Sequence, residues 1–361
     1  MMERTALHLP KRCQFLKHLL KSQHEKLSPV TKNLKGILHF EAKSYKPNRD
    51  LVLNSLFSYD QENMDVQQNP LITEGSVSLL SNQKSMDSLL TELTRGLAKY
   101  NDYEFPKVSI VIPTYNCAQS ITPTLDSLLD QDYPDYEVII VDAGSTDRTL
   151  EIIKGYRHDK IRIYTVSGYQ RYEMLNKGIS QSSGNYLNFM FPGDFYIYRE
   201  TLKYMMSLAL TKNRPSLVFC GTLLRDGKSE VKILYRHLSL KLLKRGQQPT
   251  SLQSIWFSSH IFKELGKFNS AYSLRGGYEF LCRFALHKGL KAASTNWVLT
   301  DYDLRLVTRK MVICHFIETF KTMFNFFGWA ATFKWLVLYQ KDMKRIFNLW
   351  KRAIRSAFVG K

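Results

Sequence analysis

Thr114, Asp142, Arg171 and Asp194 are polar or charged side chains standing where apolar runs stop or helices begin, and each is of a type that binds as readily as it packs. Asp142 closes the run Val138 to Val141. A carboxylate fixed at a strand end accepts an N–H, including one on a nucleotide base. In Asp142-Ala143-Gly144-Ser145-Thr146-Asp147 it equally suits a tight turn, and Asp147 suits the N-cap of the helix that follows. Arg171 opens Arg171-Tyr172-Glu173-Met174-Leu175-Asn176-Lys177-Gly178-Ile179, which sets a cation and the Asn176 amide on one helix. Facing a cleft, they would hold a diphosphate or a base; on the surface, Arg171 is merely solvated. Asp194 follows Leu187 to Phe191 through Pro192-Gly193. A carboxylate delivered by such a turn holds Mg²⁺ or Mn²⁺ against a diphosphate, or simply closes the turn.

The elements that must position these groups alternate. Val108-Ser109-Ile110-Val111-Ile112-Pro113-Thr114-Tyr115-Asn116 is a buried strand ending in a polar turn, and Glu137 to Asp147 repeats the design after a helix. A helix over Asp147 to Tyr156, a strand over Ile161 to Val166, a helix over Arg171 to Ser182 and a strand over Tyr186 to Phe191 continue the alternation. Strands and helices in this order predict an α/β fold with a mostly parallel, doubly wound sheet, and right-handed crossovers bring the polar strand ends to one edge. Further on, the pattern predicts a helix near Glu200 to Leu210, a strand over Ser216 to Gly221, a hairpin through Asp226-Gly227, and helices over Ser258 to Leu265 and Tyr278 to Lys288.

Taken together and in order, these pieces resemble the family 2 glycosyltransferases of the GT-A fold, over roughly Lys107 to Gly289. The likeness runs through Pro113-Thr114-Tyr115-Asn116, Val141-Asp142-Ala143-Gly144-Ser145-Thr146-Asp147, Asn176-Lys177-Gly178, Gly184-Asn185-Tyr186 and Gly193-Asp194. The resemblance implies inverting transfer from a nucleotide-sugar, with UDP the expected nucleotide. It implies donor binding by Pro113, Thr114, Tyr115, Asn116, Asp142, Arg171, Asn176 and Gly193. Within that set Thr114 and Asp142 meet the base and Arg171 supports the uridine side, while Asp194 ligates a divalent Mg²⁺ or Mn²⁺ bridging the diphosphate. Two departures stand out. Leu252-Gln253 replaces a His-Gln pair, leaving Gln253 on the acceptor side. Gly277 replaces the aspartate expected as general base, leaving Glu279 as the carboxylate nearby. His260 and His287 are further candidates for the base. The losses keep open an alternative: a catalytically degenerate GT-A protein that binds nucleotide-sugar as a scaffold in glycan assembly.

The whole chain narrows the partners. Its 361 residues hold one large domain with appendages, expected as an N-terminal region over 1–104, a glycosyltransferase domain over 105–304 and a helical C-terminal region over 305–361. Five scattered cysteines without CxxC spacing argue against a disulfide framework and for a reducing cytosol. The formal net charge of +19 suits an anionic partner. From Arg305 onward twelve Lys or Arg face only Glu318 and Asp342, interleaved with Phe and Trp. That mixture suits a helical pair lying on an anionic membrane, or one packed on the domain with a basic outer face, rather than nucleic acid. Met323 to Tyr339 is shorter than the roughly 20 apolar residues a spanning helix needs, and Lys334 interrupts it. No secretory signal is evident, Pro10 to Lys21 has the spacing of a short basic amphipathic helix, and Tyr59 to Ser85 reads as a polar linker. The expected location is cytoplasmic, peripheral on the inner face of the membrane, with a lipid-linked or surface glycan as acceptor.

Overall fold

The computed structural model describes residues 104–225, 232–304 and 308–338, with Thr91 alone ahead of them. The expectations placed on the first hundred residues, on the Asp226-Gly227 turn tip and on residues 339–361 therefore lie outside the described residues. Strand β1 (Val108–Thr114), helix α1 (Ile121–Leu129) and strand β2 (Tyr136–Asp142) open the fold, and every residue of both strands is buried. Such continuous apolar runs form strands covered on both faces. β1 and β2 pair in parallel with Thr114 level with Asp142, so both polar ends emerge side by side. Helix α2 (Thr149–Gly155), β3 (Ile161–Thr165), α3 (Arg171–Gln181) and β4 (Tyr186–Phe189) follow, with β3 and β4 parallel to the same pair.

Alternation along each strand builds two cores. Val111, Ile139 and Val141 face a cluster with Leu175, Phe189 and Phe257, while Ile110, Ile112, Val138 and Ile140 face Leu125, Leu128, Met205 and Trp256 on the other side. The second half completes the sheet with α4 (Thr201–Thr211), β5 (Leu217–Arg225), β6 (Lys232–Leu234), β7 (Ile255–Ser258) and β8 (Ala292–Asp303). The order is β3-β2-β1-β4-β7-β5-β6, with β8 parallel to β5. β7 is antiparallel to both its neighbours, so the sheet is mostly parallel with reversed members toward one side. β5 and β6 pair antiparallel, as the expected hairpin requires.

Short helices α5 (Leu240–Leu243) and α6 (Ile261–Glu264), then α7 (Gly276–Leu286), cover one face. The span expected as one helix from Ser258 is thus the end of β7 plus a single turn, and α7 starts two residues earlier than its pattern suggested. Phe189, Phe257, Phe262, Phe268 and Phe280 lock these pieces to the sheet, with ring centroids 5.0–6.1 Å apart. Each such ring contributes roughly 1.5–3 kcal/mol by burial, so the cluster is among the firmest parts of the fold. Helix α8 (Arg309–Leu338) closes the described chain, bent at Gly328, whose φ of 73° lies in the left-handed region. Its inner side buries Met323 and Trp335 in the same core. Among the described residues no helix is long and apolar enough to cross a membrane.

Candidate active site

The loops after β1 and β2 are tied into one corner. Asp142 is fully buried, and its Oδ1 accepts from the amides of Gly144 (3.0 Å) and Ser145 (2.8 Å). Its Oδ2 accepts from the hydroxyls of Ser145 (2.6 Å) and Thr114 (2.8 Å). A carboxylate has about four acceptor directions, and all four are used inside the protein. Asn116, at φ 45°, accepts from the Thr146 amide (2.8 Å), while its own N–H donates to Ser145 Oγ (3.0 Å). Asp147 accepts from the amides of Thr149 and Ala118 and so joins the two loops, while the N-cap of α2 falls one residue later than expected, on Arg148. At the rim Tyr115 and Tyr169 are about half exposed with ring centroids 5.6 Å apart, two faces open to a planar ligand. Pro113 and Thr114 are buried beneath them.

Beyond β4 lies the charged end. Gly193, at φ 102°, and Asp194 form a turn pinned to α1: Thr124 Oγ1 accepts from the Gly193 amide (2.9 Å) and donates to the Asp194 carbonyl (2.7 Å). The Asp194 side chain is 2% exposed. Its Oδ1 accepts from the Asp303 amide (3.1 Å), and its Oδ2 has no partner. Burial, with Asp301 and Asp303 adding to it, pushes the Asp194 pKa well above the usual carboxylate range, against the Asp303 N–H and Arg225. Arg225 donates to both oxygens of Asp301, to Asp303 Oδ2 (3.3 Å) and to the Gly193 carbonyl (3.2 Å). The Arg171 guanidinium lies over the Phe191 ring at 4.9 Å, beside Tyr169 and Tyr302. Burial first, and Asp194 next, pushes the Tyr302 phenol up to about 12.

Among the described residues no group of three or more His, Cys, Asp or Glu is arranged to hold a metal ion by itself. An ion carried in by a diphosphate needs only one or two protein carboxylates, the rest of its shell being phosphate oxygens and water. The unpartnered, buried Oδ2 of Asp194 fits that single role, whereas Asp301 and Asp303 are already held by Arg225.

The turn Leu252–Ser254 and the start of α7 carry the residues expected on the acceptor side. Gln253 is buried, its carbonyl accepts from Asn188 Nδ2 (2.9 Å), and its Nε2 has no partner. The Gly277 amide donates to Tyr172 Oη (3.0 Å), and Tyr172 Oη donates to the Leu274 carbonyl (2.7 Å), which sets α7 against the start of α3. A Cβ at Gly276 would meet Tyr172 ring carbons at 2.7–2.9 Å, so that position requires glycine; at Gly277 the nearest atom is the flexible Leu252 Cδ1 at 3.3 Å.

The family model described as "Glycosyl transferase family 2" matches residues 109–268. A glycosyltransferase of Rickettsia typhi is 30% identical over 235 residues, covering 63% of this chain and 70% of the relative. The chain belongs to glycosyl transferase family 2. Within the family it is also similar to a PGL/p-HBAD biosynthesis glycosyltransferase of Mycobacterium tuberculosis, at 25% identity over 201 residues, 55% of this chain and 77% of that one. Among solved structures, Staphylococcus aureus TarS 1–349 in complex with UDP-GlcNAc aligns with a TM-score of 0.51 at 18% identity, over 65% of this chain and 72% of that one. A mannosyltransferase of Pyrobaculum calidifontis in complex with GDP-Man and Mn²⁺ aligns with a TM-score of 0.51 at 16% identity, over 74% and 83%. The α/β, mostly parallel GT-A architecture stands as expected.

Not all the expected site residues of this family 2 glycosyltransferase converge. Arg171 reaches the end of β4 over the Phe191 ring, just ahead of the Gly193–Asp194 turn, and Tyr169 beside it meets Tyr115 of the β1 corner. Asn176 is placed otherwise: its amide pairs with the Phe268 backbone in both directions (2.8 and 3.0 Å), clamping that loop to α3. Glu279 is corrected as the expected base. Its two oxygens receive Arg283 Nε (2.9 Å) and Nη2 (2.8 Å), and Arg283 also donates to the carbonyls of Leu265 and Lys267. Glu279 stands in the first turn of α7, but its bidentate pair with Arg283 occupies the two oxygens that a base would present. His260 is likewise engaged, by Ser258 and Ser216 where β7 ends. Arg225, Asp301 and Asp303 were missed. Asp301 and Asp303 alternate on one strand, a period-2 signal, but they lie beyond the matched residues, and only the short run Trp297-Val298-Leu299 ahead of them marks the strand as apolar.

Proposed function

We propose that this glycosyltransferase moves a sugar from a nucleoside diphosphate, UDP being the expected one, to a hydroxyl of a lipid-linked or surface glycan with inversion. One observation carries the reading: a buried, unpartnered carboxylate oxygen of Asp194 at the same sheet edge as the Arg171 cation and the β1–β2 corner. Open α/β sheets bind ligands at that edge. The complexes named for TarS and the Pyrobaculum mannosyltransferase support a nucleotide-sugar donor here too. In this reading the base lies against the corner that Asp142, Thr114 and Asn116 hold rigid, with the Tyr115–Tyr169 rings as its stacking face. The acceptor oxygen attacks the anomeric carbon as the bond to the diphosphate breaks; the hydroxyl proton passes to water, and the nucleoside diphosphate leaves with the bonding electron pair. Arg171 faces the charge that gathers on the diphosphate. Asp194 would hold Mg²⁺ or Mn²⁺, which when bound neutralises the same charge. Gln253 offers its unpartnered N–H to the acceptor side.

Gly277, with Glu279 bound to Arg283, favours a second reading in which nucleotide-sugar is held in a glycan assembly complex with little turnover. Calorimetric titration with UDP, GDP and CMP, with and without Mn²⁺, tests the first step. We expect UDP to bind in a Mn²⁺-dependent way and Asp194→Asn to weaken it at least about tenfold. No binding by any of the three would overturn the donor assignment.

A further inference from the structure

Helix α8 has two unlike sides. The inner side is docked: Glu318 accepts from the amides of Ser273 (2.6 Å), Leu274 (3.0 Å) and Arg275 (2.7 Å), and Thr322 Oγ1 donates to Tyr272 Oη (3.0 Å). On the outer side Ile313, Ile317, Phe324, Trp329, Phe333 and Val337 are 43–60% exposed. They form a strip and are not scattered: Phe320 stacks on Phe324, Phe324 meets Trp329 across the Gly328 bend, and Trp329 meets Phe333, at centroid distances of 6.2–6.5 Å. Contiguous apolar surface of this kind marks a docking site.

The charges beside the strip decide its occupant. Among the described side chains of α8 the exposed charged ones are Lys310, Lys321 and Lys334, and Glu318, the one acidic residue between 309 and 338, is buried on the inner side. We propose that the outer face of α8 docks on an anionic lipid bilayer. Aromatic and aliphatic side chains enter the headgroup boundary, and the lysines meet the lipid charge. The competing occupants carry the wrong sign. A second copy of the chain brings a net charge of +19, and residues 339–361 hold seven Lys or Arg against Asp342. The inference rests on the proposed acceptor and extends it. A helix is about 10 Å across, so docking sets the Ser273–Arg275 segment, and with it the acceptor-side start of α7, within about that distance of the lipid headgroups. A lipid-linked acceptor would then be presented by the surface that holds the enzyme.

The test is co-sedimentation of the full chain with vesicles of phosphatidylcholine alone or mixed with phosphatidylglycerol, without donor or acceptor, so that its outcome is independent of the titration above. The wild type should bind the mixed vesicles and let go as salt is raised. Trp329→Ser with Phe333→Ser, two exposed positions, should bind at least about tenfold more weakly. Lys321→Glu with Lys334→Glu should abolish the preference for phosphatidylglycerol. Circular dichroism on each variant confirms that it is folded. The proposal is overturned if the wild type ignores both vesicles, or if the serine pair binds as tightly as wild type, which would place the contact elsewhere. Light scattering covers the remaining case: a wild-type dimer that the serine pair splits would assign the face to a second copy.

Discussion

Glu318→Ala removes a side chain through which α8 holds the Ser273–Arg275 segment. Its carboxylate accepts three backbone N–H groups, at 2.6, 3.0 and 2.7 Å, and is 8% exposed. A hydrogen bond to a charged group contributes roughly 1.5–3 kcal/mol net, so three in simple sum reach about 4.5–9 kcal/mol. Water entering the vacated space recovers part of that for the amides, and we expect a loss of about 3–5 kcal/mol. Glu318→Gln keeps an oxygen for some of the three but turns an NH₂ toward another donor, and should lose about 1–3 kcal/mol. Urea unfolding followed by circular dichroism reads the global loss, and hydrogen exchange of peptides spanning Ser273 to Arg275 reads the local one. Each 1.4 kcal/mol of local opening speeds exchange about tenfold. If the alanine variant lost less than about 1 kcal/mol and those amides stayed as protected as in wild type, the reasoning from bond count and burial would be refuted.

Three further outcomes follow from the same geometry. Gly277→Asp should fold, because its Cβ meets only Leu252, and should raise donor turnover on a membrane extract by about 10²–10⁴-fold, whereas Gly276→Asp should destabilise the protein by roughly 1–3 kcal/mol through its clash with Tyr172. Unchanged nucleotide release from Gly277→Asp would show that this position is not the seat of the absent base. Arg225→Met takes the guanidinium from Asp301 and Asp303, both under one-tenth exposed, and should cost about 3–5 kcal/mol in urea unfolding; a neutral result would show the carboxylates to be satisfied without it. Burial first, and Arg275 next, holds the His315 pKa well below 6.5. The unfolded chain therefore takes the proton more readily, so this contribution is full above about pH 6.5 and is lost as pH falls below it; His315→Phe should flatten the stability profile between about pH 7 and about pH 5.

The parallel half of the sheet was legible because Val108 to Thr114 and Tyr136 to Asp142 are continuous apolar runs with polar ends, and burial on both faces leaves such a run few other fates. β7 was not, since its four residues run straight into the α6 turn. β8 hid for another reason: its Ser, Thr, Asn and Asp residues weaken any apolar alternation, and its place is fixed by pairing with β5 at long range. The same holds in the site. Asp194 was visible as a turn carboxylate, but the neighbours that surround it come from strands far along the chain. Gly276-Gly277 reads locally as a helix breaker, yet α7 begins there because Tyr172 admits no side chain at Gly276 and takes the Gly277 amide.

The bond from the Asp303 amide to Asp194 joins positions 109 residues apart. During synthesis at about 5–20 residues per second, Asp194 leaves the ribosome roughly 5–20 seconds before the strand that covers it. Until then the turn after β4 has neither Asp303 nor Asp301 beside it, and β5 has no parallel partner on that side. The nascent chain thus spends seconds as a formed β1–β4 half with an open edge, and a ribosome stalled between Phe195 and Asp301 would display a sheet that invites chaperones or other strands.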